Sequence, residues 1–205
     1  MNLFPTASAP FYSSVRYANL VTDLKMRVIS GELKGRKLLQ PRGVDLRPTT
    51  DKVKEALFNI LSPYLQGSFF LDLYAGSGSI GIEAASRGAA SVTFVEKNRE
   101  NFFLIRKNIA SFDLSEKVTL FHGTVLDFLK TNCGAFDLAY VDPPYEDNDL
   151  LERLQTLGSS DTIRPQGIVV IEHFHKRELP PAFGTLTLSR QVRYGTTALT
   201  FYVKK

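Results

Sequence analysis

From residue 68 onward, apolar residues fall in short runs separated by segments with helical spacing. Phe69-Phe70-Leu71-Asp72-Leu73, Ser91 to Val95, Lys117 to Phe121, Phe136-Asp137-Leu138-Ala139-Tyr140-Val141 and Gly167-Ile168-Val169-Val170-Ile171 are too short for helices. Their β-branched and aromatic content and polar or Gly/Pro borders predict strands. Between them, helices are predicted over 80–87, where Gly88 ends the run, and over 99–110, 125–130 and 150–157. Leu186, Leu188, Val192, Leu199, Phe201 and Val203 mark two further strands joined through Tyr194-Gly195-Thr196-Thr197. Regular strand–helix alternation with short links predicts a doubly wound α/β sheet of seven strands, mostly parallel. The tight link between the last two strands predicts an antiparallel edge.

Upstream the pattern changes. Val53, Leu57, Ile60 and Leu61 repeat at helical spacing. Thr49 or Thr50 is placed to cap that helix, Asp51 to sit in its positive first turn, and Pro63 to close it. Met26 to Ser30 and Arg36 to Gln40 flank the Gly-bounded stretch Gly31 to Gly35, which predicts a β-hairpin. Residues 1–25 show no period. The expected organisation is an N-terminal extension (1–25), a basic hairpin and linker (26–48) and a doubly wound domain (49–205).

Charge sharpens the picture of the hairpin. The chain carries a formal net charge of +4 over 205 residues. Residues 26–54 hold eight basic and three acidic side chains, whereas residues 55–205 hold fifteen and seventeen. Positive charge concentrated in one short segment points to a polyanionic partner, with the hairpin as a phosphate-contacting arm. The bland alternative is a solvated hairpin with ordinary surface lysines. One cysteine, Cys133, excludes an internal disulfide framework and fits a reducing, cytoplasmic setting. No apolar run approaches the length of a membrane span, and the N-terminus has no secretory pattern. His122, His173 and His175 with one Cys make no metal-site spacing, and the histidines are expected at the surface.

Two stretches carry candidate chemistry. The first is Asp72-Leu73-Tyr74-Ala75-Gly76-Ser77-Gly78-Ser79-Ile80-Gly81, a G-x-G-x-x-G turn between a strand and a helix, with Glu96 20 residues beyond Gly76. Such a turn suits a dinucleotide, with Glu96 on a ribose. No lysine follows the glycines, which excludes a nucleoside-triphosphate loop. Asp72, at the strand's end, would oppose a phosphate but suits a cationic amino-acid moiety. A ligand with an ammonium, a sulfonium, a ribose and an adenine satisfies these features, and that ligand is S-adenosylmethionine. Gly76 and Gly78 let backbone approach it without a Cβ. The turn His122-Gly123-Thr124-Val125 falls beside the adenine. In the bland reading Asp72 and Glu96 merely cap helices.

The second stretch is Asp142-Pro143-Pro144-Tyr145, after a strand that two prolines must end. A stiff loop at a strand's C-terminal end is where open α/β sheets bind ligands. A carboxylate, a fixed carbonyl and a ring suit a planar base bearing an amino group.

Taken in order, Asp72-x-x-Ala75-Gly76-x-Gly78 and Asp142-Pro143-Pro144-Tyr145 resemble the amino-group methyltransferases of the Rossmann-like fold. Met26-Arg27-Val28-Ile29-Ser30-Gly31, Gly35-Arg36-Lys37-Leu38, Arg47-Pro48-Thr49-Thr50-Asp51 and Glu55 to Leu61 narrow the likeness to the RsmD family over residues 26–205. Arg193-Tyr194-Gly195 belongs to the same likeness. That resemblance implies S-adenosylmethionine-dependent methylation of a guanine N2 in bacterial 16S ribosomal RNA. It implies catalytic roles for Asp142, Pro143, Pro144 and Tyr145, and cofactor contacts from Thr50, Asp72, Tyr74, Ala75, Gly76, Gly78, Glu96, Thr124 and Val125. RNA contacts fall to Arg27, Lys34, Arg36, Lys37 and Arg47. The implied partner is 16S rRNA or an assembled small subunit, met by a monomer without metal or membrane. Two departures stand out: Thr124 replaces an Asp or Asn near the adenine, and Tyr74 replaces the commoner Phe. The alternatives are DNA adenine-N6 methylation, a nicotinamide oxidoreductase using the glycine loop, and a ribosome assembly factor that only binds.

Overall fold

The computed structural model describes residues 26–40, 51–131, 134–144 and 147–205. Thr50, Arg47 and Tyr145 lie outside the described residues, as do the other cap candidate Thr49 and Cys133. The strands are β1 (Phe69–Leu73), β2 (Ser91–Glu96), β3 (Val118–His122), β4 (Phe136–Val141), β5 (Ile163–Phe174), β6 (Ala182–Phe183), β7 (Leu186–Tyr194) and β8 (Thr197–Lys204). The helices are α1 (Asp51–Leu65), α2 (Ser79–Ser86), α3 (Arg99–Ser111), α4 (Val125–Leu129) and α5 (Leu150–Ser159). One sheet runs in the order β3-β2-β1-β4-β5-β8-β7-β6. The first five of these pair in parallel, and β8, β7 and β6 add as an antiparallel edge.

The expected architecture is present with three differences. An eighth strand, β6, closes the edge with only two residues, too short to leave a periodic signal. Its Phe183 is buried and packs on Tyr202, with ring centres 5.3 Å apart. β5 extends beyond both ends of its apolar run, because Ile163 pairs with Phe136 of β4 and Glu172, His173 and Phe174 continue the ladder with β8. Pro63 lies inside α1 rather than closing it. A proline this near the end forfeits one helical bond, and burial of Leu65 holds the last turn in place.

The sheet is packed on both faces. One core joins α1, α2 and α3 to Phe70, Phe94, Leu138 and Tyr140; the other sits beneath α4 and α5 around Leu73, Val141, Val169 and Ile171. All eight residues of α2 are buried. Gly81 makes that closeness possible, since a Cβ there would stand 2.3 Å from the Phe94 ring.

The predicted hairpin forms minimally, with one bridge between Arg27 and Lys37. Val28 N–H donates to Arg36 C=O and Leu38 N–H to Met26 C=O, each at 2.9 Å. Val28 and Leu38 are buried in the first core, while Arg27, Lys34 and Lys37 are exposed. The anchor is Glu83 on α2. Its carboxylate accepts from Ile29 N–H at 2.8 Å and Ser30 N–H at 2.9 Å, and pairs with Lys54 at 3.3 Å and Arg87 at 2.8 Å. Lys54 also donates to Arg27 C=O at 2.9 Å. Lys54 therefore adds nothing to the basic surface that its place in the sequence suggests. Its burial pushes its pKa down.

Candidate active site

Strand order reverses between β1 and β4: β1 leads outward through β2 to β3, and β4 leads the other way through β5. Such a switch point opens a crevice at the strands' C-terminal ends. The glycine loop leaves β1 on one side of it, and the Asp142 loop leaves β4 on the other. Asp142 N–H reaches Leu73 C=O at 3.5 Å across the gap.

The glycine loop is held in an unusual backbone shape. Tyr74, Gly76 and Gly78 have φ of 62°, 56° and 80°, a left-handed region that the two glycines adopt without strain and that is uncommon for a tyrosine. Ala75 N–H donates to Val95 C=O at 3.1 Å, and Gly78 N–H turns back onto Ala75 C=O at 2.7 Å. Glu96 braces the loop from β2, accepting from Gly76 N–H at 2.8 Å with one oxygen and from Asn98 N–H at 2.7 Å with the other. A Cβ on Gly76 would meet nothing nearer than 4.0 Å, so its backbone borders open space, whereas one on Gly78 would press on Ile105 at 3.3 Å. Beyond β3, Gly123 N–H donates to Glu96 C=O at 3.1 Å. Thr124 then caps α4 through a reciprocal pair with Asp127.

Carboxylates converge beneath the crevice. Asp72 is buried, and its Oδ2 accepts from Gly81 N–H at 2.9 Å. Burial first, and then the Glu96 charge, raise its pKa well above the usual carboxylate range against that hydrogen bond. Asp142 is also raised, by burial and then by the Glu172 and Asp72 charges. Val141 pairs with Ile171 in the β4–β5 ladder, so the next residues, Asp142 and Glu172, are lateral neighbours where β4 ends. Tyr140 OH donates to Glu172 in a short hydrogen bond. Neither Asp72 nor Asp142 forms an ion pair among the described residues.

A cavity of about 390 Å³ opens beside this cluster, lined by Pro143, Pro144, Glu172, His173, Phe174, Lys176 and Arg177. His173 is not the surface histidine its sequence context suggests. It is buried, its Nδ1 lies 2.9 Å from Phe174 C=O, and its Nε2 lies 2.7 Å from the Thr200 hydroxyl. Nδ1 therefore carries the proton that the carbonyl accepts, and burial lowers the pKa of the ring. On the other flank, Tyr74 OH donates to Asp147 Oδ2 at 3.0 Å. Arg153 grips the same Asp147 and also Asp149, the latter at 3.0 Å.

The family described as Conserved hypothetical protein 95 matches residues 26–203. The chain is 38% identical to the ribosomal RNA small subunit methyltransferase D of Haemophilus influenzae, over 72% of this chain and 78% of that one. The chain belongs to the RsmD family. YlbH of Bacillus subtilis is 37% identical over 88% of this chain and 100% of its own length. The solved structure of yhhF from Escherichia coli superposes with a TM-score of 0.79 at 32% identity, covering 88% of this chain and 98% of that chain. The expected family and its Rossmann-like methyltransferase fold are thus both found.

Of the residues that the RsmD likeness singled out, Asp72, Tyr74, Ala75, Gly76, Gly78, Glu96, Thr124, Val125, Asp142, Pro143 and Pro144 lie along the same C-terminal rim. Asp72 sits under the glycine loop, where its carboxylate holds α2 and acts on the crevice through its charge. Thr124 spends its hydroxyl on the α4 cap. Arg36 is pinned: its guanidinium donates to Ser111 C=O and lies 4.6 Å over the Phe112 ring. Glu172 escaped the sequence reading because the apolar run before it ends at Ile171. The signal was the polar residue that follows, on a strand adjacent to Asp142.

Proposed function

We propose that this chain transfers a methyl group from S-adenosylmethionine to the exocyclic N2 of a guanine in small-subunit ribosomal RNA. The supporting observation is the pair Asp72 and Asp142, neither ion-paired among the described residues, beside a loop whose Gly76 backbone borders open space. Burying like charges together is costly, and a cation among them relieves the cost. A sulfonium bearing an amino acid is such a cation, and RsmD membership points to the same ligand. Gly76 and Gly78 allow close backbone approach. Glu96 retains lone pairs for ribose hydroxyls beyond the two N–H groups it already accepts. The Thr124–Val125 turn borders the adenine. When bound, S-adenosylmethionine supplies an electrophilic methyl group.

The chain's own residues then act on the acceptor amine. The guanine N2 lone pair is delocalised into the ring and is a poor nucleophile. Asp142 and the Pro143 carbonyl accept its two N–H groups, which directs the lone pair out of the ring plane. The same carboxylate opposes the positive charge that develops on nitrogen and receives the proton that leaves. Tyr145 stacks on the base, a contact worth about 1–3 kcal/mol in related recognition. The base enters turned out of its stack, as chemistry on a base atom requires.

Arg27 and Lys37 face one another on the exposed side of the hairpin. Opposed like charges destabilise a strand pair, and phosphate between them removes that cost. These two, with Lys34 and Arg36 on a hairpin that Glu83 fixes to α2, and with Arg47, make up the RNA-gripping arm. The test is transfer of a tritiated methyl group to unmodified small subunits, free 16S RNA and DNA, followed by nucleoside analysis. N2-methylguanosine from RNA is expected. Methylated adenine, or no product, overturns the reading.

A further inference from the structure

The 390 Å³ cavity holds a carboxylate that the mechanism above leaves unused. Glu172 stands beside Asp142 on the neighbouring strand, with its direction fixed by the Tyr140 hydroxyl. It lines the cavity together with Pro143 and Pro144, the residues that shape the acceptor loop. Adjacent strands run about 4.8 Å apart. That spacing lets two neighbouring carboxylates meet two neighbouring donors on one edge of a base.

We propose that Glu172 is the specificity-determining residue of the acceptor pocket, reading the N1–H of the target guanine while Asp142 takes the N2 amine. The inference rests on the guanine-N2 reading and deepens it. Guanine presents N1–H and N2–H₂ side by side, both donors, so two carboxylates complement its edge. Adenine presents a lone pair at N1 beside its N6 amine. With adenine's amine at Asp142, that lone pair faces the Glu172 carboxylate, an unpaired repulsive contact of the kind that rejects wrong partners. The Asp-Pro-Pro-Tyr loop serves either amine, and Glu172 removes that ambiguity. A carboxylate offers about four lone-pair positions, so a bond from Tyr140 and one from a base N1–H can be accepted together.

The test compares wild type with Glu172→Gln on small subunits reconstituted with guanine or 2-aminopurine at the methylated position. 2-Aminopurine keeps the reactive amine but carries a lone pair at N1. A glutamine can turn its carbonyl to guanine or its amide N–H₂ to 2-aminopurine, so it should discriminate weakly. Wild type is expected to prefer guanine by about 10²–10⁴-fold, and Glu172→Gln by about 10-fold or less, given how strongly sites built on buried polar contacts reject analogues. Loss of O6 affects both enzymes and cancels when the two preferences are compared. The far-UV circular dichroism and urea unfolding of the variant should match wild type, which shows that it is folded. Guanine methylation with the same preference in both enzymes overturns the role of Glu172 and leaves the parent reading standing. No guanine methylation by wild type overturns the parent reading itself.

Discussion

Glu83 and Asp142 are both carboxylates set into the molecule, and their surroundings are opposite. Glu83 has Lys54 at 3.3 Å, Arg87 at 2.8 Å and two backbone N–H groups from the hairpin. Asp142 has Glu172 and Asp72 as its electrostatic neighbours, and both push its pKa up. The first arrangement is complete within the chain and serves to fasten α1, α2 and the hairpin together. In the second, neither Asp142 nor Asp72 has an ion-paired cation among the described residues, and the proposed sulfonium would supply one. A buried ion pair is weak evidence for function, and buried carboxylates facing each other are stronger evidence for it.

The contrast is broken most forcefully at Glu83. Glu83→Ala strands Lys54, which is 1% exposed, and removes two acceptors from the hairpin. Breaking one partner of a buried pair costs about 3–5 kcal/mol. Urea unfolding should show that loss. A change below about 1 kcal/mol, the size of an exposed ion pair, would show that the anchor is not structural.

Asp142→Asn acts in the other direction. Removing a donor or acceptor aimed at developing charge typically lowers kcat by about 10²–10³-fold, and that loss is expected here with cofactor binding retained. The sign of its pH effect separates it from Glu83. Asp142 and Asp72 have folded pKa values raised above their unfolded ones, so between those values the fold holds protons that the unfolded chain has released. Stability from these groups is greatest below the ordinary carboxylate range and is lost as pH rises through the raised values. Asp142→Asn should flatten that slope. A bound sulfonium should draw protons off, so the calorimetric heat of S-adenosylmethionine binding should vary with buffer ionisation enthalpy, less so in Asp142→Asn. Equal heats in all buffers for wild type would mean that the cluster is not the cation's counter-charge. Methyl transfer should rise with pH as Asp142 becomes the accepting carboxylate.

Sequence periodicity made the completed half of this comparison hard to see and the incomplete half easy. The strands and helices between 69 and 174 follow from apolar runs, and Asp142 stood out because prolines mark a strand's end. Gly76, Gly78 and Gly81 likewise announce a turn and a close helix–strand contact, both present. Glu83 left no such mark. It lies in a helix buried on every side, and its hairpin partners are more than fifty residues upstream. The same long-range packing removed Lys54 from a basic surface that a charge count assigns it. Glu172 was missed at a strand end, where a polar residue ends the apolar pattern before the ladder itself stops.

The hairpin tests whether the Glu83 anchor serves the crevice. Neutralising Arg27 and Lys37 together should lower the salt slope of RNA binding by about 1.4–1.8, the contribution of two phosphate contacts. Arg36→Gln should lower that slope by less than the double variant does, since it removes one exposed charge rather than two. Equal slopes for the wild type and the double variant would leave the hairpin as a structural brace alone.

The smallest effect belongs to Tyr74, where the two kinds of polar arrangement meet. Its hydroxyl ties the glycine loop to Asp147, and Arg153 completes the cluster from α5 at 3.4 Å. This group is satisfied like Glu83, yet it borders the crevice like Asp142. Burial raises the phenol to about 12, so it stays a hydrogen-bond donor throughout the working pH range. Phe, the commoner residue at this place in the RsmD likeness, keeps the ring and deletes only that donor. Tyr74→Phe should therefore cost about 0.5–1.5 kcal/mol, the net worth of one hydrogen bond. Asp147 retains Arg153, which limits the loss to the low end of that range. The urea midpoint should fall slightly with an unchanged slope, while methyl transfer stays within a few-fold of wild type. A loss of activity approaching that of Asp142→Asn would place the Tyr74–Asp147–Arg153 cluster with the incomplete half of the site. It would mean that the link between the two loops, rather than either loop alone, sets the reacting geometry.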